Sequence, residues 1–151
     1  NDSMTGFYNR NAYDYFIYNE KNIKNYMVVT FDLNNLKMCN DNYGHSSGDA
    51  YIIHSAHIIE TTFDRFGKCY RIGGDEFCCL IPDAAEFQIE RFIQKMQQDI
   101  AILNNKNIIP TEVGIACGYA LATPDDADIE KVRERADEMM YHNKKVLKGL
   151  I

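Results

Sequence analysis

The stretch CYRIGGDEFCCLI, residues 69–81, contains two short runs rich in aromatic and aliphatic residues, Cys69 to Ile72 and Phe77 to Ile81. They are separated by Gly73-Gly74-Asp75-Glu76. Two adjacent glycines between such runs predict a β-hairpin whose turn takes positive φ angles. Upstream, YMVVTFDL at 26–33 is an apolar, β-branched run of the kind that fills a buried strand, and Asp32 closes it. Residues 112–122, EVGIACGYALA, predict a further long strand.

Helical spacing accounts for most of the remainder. Residues 7–20 predict a first helix, and the polar loop NDNYGHSSG leads into a second at 48–63 through Tyr51, Ile52, Ala56, Ile59 and Phe63. Asp83 with Glu86 three residues on suggests an N-cap for a third helix, striped by Ile89, Phe92, Ile93, Met96, Ile100 and Leu103. Asp128 is the expected cap of a last helix through Val132, Ala136, Met139 and Met140 to Leu147. The order αβαββαβα contains βαββαβ, so the expected class is α+β: an α/β sandwich whose ferredoxin-like core carries helices on one face of a mainly antiparallel sheet, with further helices surrounding it.

Composition narrows the possible functions. The chain has 151 residues, 46% hydrophobic and 25% charged, with a net charge of −6. That describes one folded domain over 1–151, with no apolar run long enough to span a membrane. The acidic balance disfavours a nucleic-acid partner, because a polyanion rewards a basic face. Five cysteines without a CxxC pair suggest reduced thiols and a cytoplasmic setting. A start at Asn1 rather than Met suggests a domain excised from a longer protein, whose parent could be membrane-anchored.

In a βαββαβ sheet the first strand lies beside the hairpin, so Asp32 would converge with Asp75 and Glu76. Two carboxylates about 4 Å apart repel by roughly 4 kcal/mol at an effective dielectric near 20, which calls for a positive partner. Hard oxygen donors without a Cys or His cluster suit Mg²⁺ or Mn²⁺ completed by substrate phosphates. The alternative reading makes Asp75 and Glu76 polar turn residues and Asp32 a strand-end cap. His54 and His57 share a helix face without a third ligand, and Cys78 and Cys79 read as core.

Four blocks, in order, resemble the GGDEF family of diguanylate cyclases. DSMTGFYNR at 2–10 is similar to D-x-L-T-G-L-x-N-R, and FDLNNLKMCNDNYGHSSGDAY at 31–51 to F-D-I-D-x-F-K-x-x-N-D-x-x-G-H-x-x-G-D. RIGGDEF at 71–77 carries the motif itself, and ADEMMYHNKK at 136–145 is similar to A-D-x-A-L-Y-x-A-K. The resemblance implies a fold related to nucleotidyl cyclases and polymerase palm domains. It also implies condensation of two GTP into cyclic di-GMP with release of two pyrophosphates, each subunit of a homodimer presenting one GTP. An N-terminal sensory or regulatory domain would control that pairing.

By motif position, the resemblance implies that two Mg²⁺ or Mn²⁺ ions per site are held by Asp32, the Leu33 carbonyl and Asp75. Asp75 is also the implied proton acceptor, and Glu76 is placed to share either role. Asn40 and Asp49 match guanine-contacting positions, and His45 lies in the same block. Lys37 and Lys144 match phosphate contacts, Lys148 stands at a third such position, and backbone N–H groups of Asn35 and Leu36 lie beside them; the bland alternative for Lys37 and Lys144 is a solvated surface charge. Three departures stand out: Asn34 replaces an aspartate, Lys148 an arginine and Leu147 a glycine. The family's inhibitory R-x-x-D would begin at Asp64, so no inhibitory site is expected. These departures keep open a second reading, a non-catalytic domain that binds GTP or a protein partner.

Overall fold

The computed structural model describes residues 1–147 and Gly149. Nine elements follow in order: α1 (Arg10–Asn19), β1 (Met27–Leu33), α2 (Leu36–Tyr43), α3 (His45–Phe63), β2 (Lys68–Arg71), β3 (Glu76–Ile81), α4 (Ile89–Asn105), β4 (Ile115–Leu121) and α5 (Ile129–Leu147). The strands form one antiparallel sheet in the order β2-β3-β1-β4, the order of a ferredoxin-like core.

Strand β1 is central and all seven of its residues are buried. That burial explains its unbroken apolar run, because side chains alternate between two covered faces. Met27, Val29, Phe31 and Leu33 enter the layer under α3 and α4. Val28 enters the layer under α1 and α5, with Tyr13, Ile129, Val132 and Ala136. The βαββαβ unit thus carries its helices α3 and α4 on one face, and the expected surrounding helices complete the other. α1 and α5 lie outside the βαββαβ unit, and the apolar second face of the sheet requires them as cover.

Three local readings also change. The polar segment after β1 contains helix α2, and α3 begins at His45 rather than 48. Gly44, at φ 91°, ends one helix and starts the next. α2 buries only Leu36 and Cys39, too few apolar residues to draw a stripe. Asp83 does not cap α4: it sits at φ 51°, and α4 starts at Ile89 after Gln88. The intervening chain is tied down by Ala84 N–H donating to the Asn25 carbonyl at 2.7 Å. The hairpin forms as expected, but neither Gly73 nor Gly74 takes a positive φ. The turn closes by Ile72 and Gly73 N–H groups donating to the Glu76 carbonyl at 3.0 and 3.3 Å. Asp128 does cap the last helix, accepting from Lys131 N–H at 3.2 Å.

Helix α5 lies directly on β4. A Cβ at Gly118 would overlap the Ala136 carbonyl and the Met140 backbone, so only glycine permits this approach. Gly118→Ala must push α5 off the sheet, with an expected loss of about 1–3 kcal/mol typical of overpacking; urea unfolding measures it, and a neutral result would contradict the packing. Among the described residues no helix is long and apolar enough to cross a membrane.

Candidate active site

The even positions of β1 run Val28, Thr30, Asp32, increasingly polar towards the strand's C-terminal end. Asp32 stands opposite Glu76 in the ladder with β3. The Leu33 N–H donates to the Asp75 carbonyl at 3.0 Å, so the hairpin turn is stitched to the strand through backbone rather than side chain. Asp32 is 5% exposed. Its Oδ2 accepts from Lys144 Nζ at 2.8 Å, while its Oδ1 is buried without a partner.

The electrostatics follow from that geometry. Burial pushes the Asp32 carboxyl above the ordinary aspartate range; the Lys144 bond opposes the shift, and the Asp75 and Glu76 charges reinforce it. Burial disfavours the Lys144 ammonium, but the hydrogen bond and charge of Asp32 outweigh it and hold the lysine above its usual value. Lys144 is thus the positive partner that the carboxylates called for, brought by α5 from 112 residues away.

In front of these groups opens a cleft of about 430 Å³ lined by Leu33, Asn35, Leu36, Lys37, Asp75 and Lys144, together with Met38, Asp41 and Asn42. Asn35 starts α2 at φ 60°. Asn40 lies half-buried beside the α2–α3 junction, with its side chain occupying the space a Cβ at Gly48 would take. Its neighbour along α3, Asp49, is exposed, as is His45, and neither lines the cleft. Lys148 lies outside the described residues.

Two supports were not legible as such in the chain. Tyr51 is fully buried, and its phenol meets the Asn34 carbonyl at 2.7 Å while accepting from Gly114 N–H at 2.9 Å, pinning the exit of β1 to the entry of β4. Burial raises that phenol's pKa to about 12. Arg71 contacts Asp2 at 3.2 Å and donates to the Gly74 carbonyl at 2.9 Å, tethering the N-terminal segment to the hairpin turn. Burial opposes ionisation of Asp2, yet the Thr5 hydroxyl and N–H, with Arg71, hold its carboxyl below the usual range.

Among the described residues no three His, Cys, Asp or Glu side chains converge into a self-sufficient metal cage. The donors present, two carboxylates and a strand-end carbonyl, still fit a hard divalent cation that completes its shell with water and phosphate oxygens. The orphaned Asp32 Oδ1 is an available ligand atom of that kind.

The sheet order and this carboxylate-edged cleft define a palm-like cyclase fold. Residues 1–148 match the family model described as diguanylate cyclase, GGDEF domain, and the chain belongs to that family. It is 30% identical over 149 residues to diguanylate cyclase DgcN of Escherichia coli, covering 95% of this chain and 36% of the relative. It is 27% identical to diguanylate cyclase DgcS of Shewanella oneidensis, covering 95% and 49% respectively. The chain thus spans between a third and a half of these curated relatives. The GGDEF domain of DgcB from Caulobacter crescentus, solved with c-di-GMP, shares the fold at TM-score 0.81 and 24% identity, covering 95% of this chain and 89% of that one.

Proposed function

We propose that the domain is a diguanylate cyclase that condenses two GTP into cyclic di-GMP, working as a homodimer under the control of an N-terminal regulatory domain. The observation that carries this reading is the Leu33–Asp75 backbone stitch beside a cleft lined by Leu33, Asp75, Lys37 and Lys144, with buried Asp32 next to it through its bond to Lys144.

Asp32, Leu33 and Asp75, with Glu76 beside them, would hold Mg²⁺ or Mn²⁺. Such ions polarise a phosphoryl oxygen and lower the pKa of an attacking hydroxyl. Lys37 and Lys144 supply positive charge to the triphosphate, and Asn35 and Leu36 at the start of α2 line the same cleft, where their N–H groups would meet phosphate oxygens. When phosphate arrives, Lys144 exchanges its bond to Asp32 for one to an anionic oxygen, which frees Oδ2. Asp75 accepts the 3′-hydroxyl proton, a role Glu76 is placed to share. Asn40 and Asp49 recognise guanine, whose N1–H and N2–H₂ donors suit an ionised carboxylate; His45 stands at the same junction.

The deciding experiment incubates the domain, fused to a dimerising tag, with GTP and Mg²⁺ and looks for cyclic di-GMP by mass spectrometry. GTP binding without product would favour the second reading, a non-catalytic GTP-binding or partner-binding module. Asn34 and the ion pair that occupies Asp32 are the observations on that side.

Product inhibition offers a separate check. Asp64 occupies the C-cap of α3, and the Arg65 guanidinium lies 4.7 Å from the Phe66 ring centroid and 5.8 Å from that of Phe92. Initial rates should stay within about twofold when micromolar cyclic di-GMP is added, a change of under ~0.5 kcal/mol. Strong inhibition that vanishes in Arg65→Ala would refute this.

A further inference from the structure

Two cysteines stand directly opposite each other on the hairpin that carries the Gly73–Glu76 turn. Cys69 of β2 pairs with Cys79 of β3, and their sulfurs lie 3.0 Å apart. The ladder explains the closeness. Ile72 N–H donates to the Glu76 carbonyl, so residues 72 and 76 form a hydrogen-bonded pair. Bonded and non-bonded pairs alternate along an antiparallel ladder. Tyr70–Cys78 is then a bonded pair, and Cys69–Cys79 a non-bonded one.

Non-bonded pairs set their Cα atoms about 4.5 Å apart with the side chains closest, within the span of about 4.4–6.8 Å that a disulfide bridges. Both sulfurs enter the layer beneath α3 and α4. Cys78 enters the opposite layer and does not compete.

We propose that Cys69 and Cys79 form an oxidisable thiol pair, which hydrogen peroxide converts to a cross-strand disulfide stapling β2 to β3. The Cys69 sulfur attacks peroxide as the O–O bond breaks, releasing one water and leaving a sulfenic acid. The Cys79 sulfur then displaces the hydroxyl as a second water while the S–S bond forms. Two electrons pass from the thiols to peroxide, and the two thiol protons leave in the water.

Cys69 is the first attacker because β2 is a four-residue strand whose outer side is covered by an isolated bridge to Tyr8, whereas Cys79 belongs to the interior strand β3. Burial and the neighbouring Cys69 thiol hold Cys79 protonated, in keeping with its role as second partner. Both residues are almost wholly covered, at 4% and 0% exposure, so reaction waits on local opening of the edge. The closed ring would contain Arg71 and the whole turn, limiting how far the hairpin can splay.

The test treats the folded 151-residue chain with millimolar peroxide, then unfolds it in excess N-ethylmaleimide. The expected result is a fall from five alkylated cysteines to three, with the tryptic peptide Cys69-Tyr70-Arg71 linked to the peptide that begins at Ile72. Dithiothreitol should restore all five, and Cys78→Ala should keep the link. Five alkylated cysteines after treatment, oxidation of one cysteine beyond sulfenic acid without a link, or a link that needs Cys78 would each overturn the proposal. A link that forms only when peroxide is added in guanidinium would overturn it as well. Wild-type peptide mapping decides the matter even if Cys69→Ala fails to fold.

Discussion

Asp75→Asn is expected to abolish cyclic di-GMP synthesis, lowering turnover by about 10³-fold or more, while leaving the fold intact. General-base catalysis alone contributes on the order of 10²–10⁴-fold, and the substitution also removes a carboxylate from the proposed cation ligands. The fold survives because the Asp75 backbone carbonyl, and not its side chain, holds the Leu33 N–H. Removing a charge that pushes the Asp32 carboxyl upward should leave the melting temperature unchanged or slightly higher. Product mass spectrometry beside a circular dichroism melt checks both halves. Activity within tenfold of wild type would remove Asp75 from its assigned role and shift attention to Glu76→Gln.

The second large effect links cation binding to pH. Millimolar Mg²⁺ should stabilise the wild-type protein by up to about 2.7 kcal/mol when its concentration reaches a hundred times the dissociation constant. Asp32→Asn should lose that response. The sign of the pH dependence follows from the raised Asp32 pKa. Folding binds this proton more tightly than the unfolded chain does, so the group's favourable contribution is present below its unfolded pKa and is lost as pH rises through the folded value. Mg²⁺ competes with that proton. Its stabilisation should therefore grow with pH across a window lying above the ordinary aspartate range, then level off once Asp32 is ionised. Thermal shifts with and without Mg²⁺ from pH 4 to 8 measure it; a Mg²⁺ effect that is flat over this range, or retained in Asp32→Asn, would exclude Asp32 as a ligand.

Legibility varied with how local the deciding physics was. The hairpin could be read because two apolar runs flank a short turn, although the glycines do not serve the positive φ that the pattern suggested. Asp32 could be singled out because a lone carboxylate ended a strand otherwise almost wholly apolar. Helix α2 could not, since it buries only Leu36 and Cys39 and depends on docking against α3. Asp83 carried a convincing capping pattern that the fold overrode: the chain leaving β3 passes Asn25, which bonds Ala84, and the helix starts only at Ile89, after Gln88.

Residue identities and periodicity alone established the order of the strands and of every helix but α2, and the antiparallel class, and they singled out Asp32, Asp75 and Glu76 as the candidate carboxylates. Such features depend on neighbours within a few positions along the chain. The approach of Lys144 to Asp32, the double anchor of Tyr51 and the tether from Asp2 to Arg71 each join distant segments. They depend on how α1, α3 and α5 seat on the two faces of the sheet. Close approaches such as that of Gly118 to α5 set that seating, and it exists only once the whole core has packed.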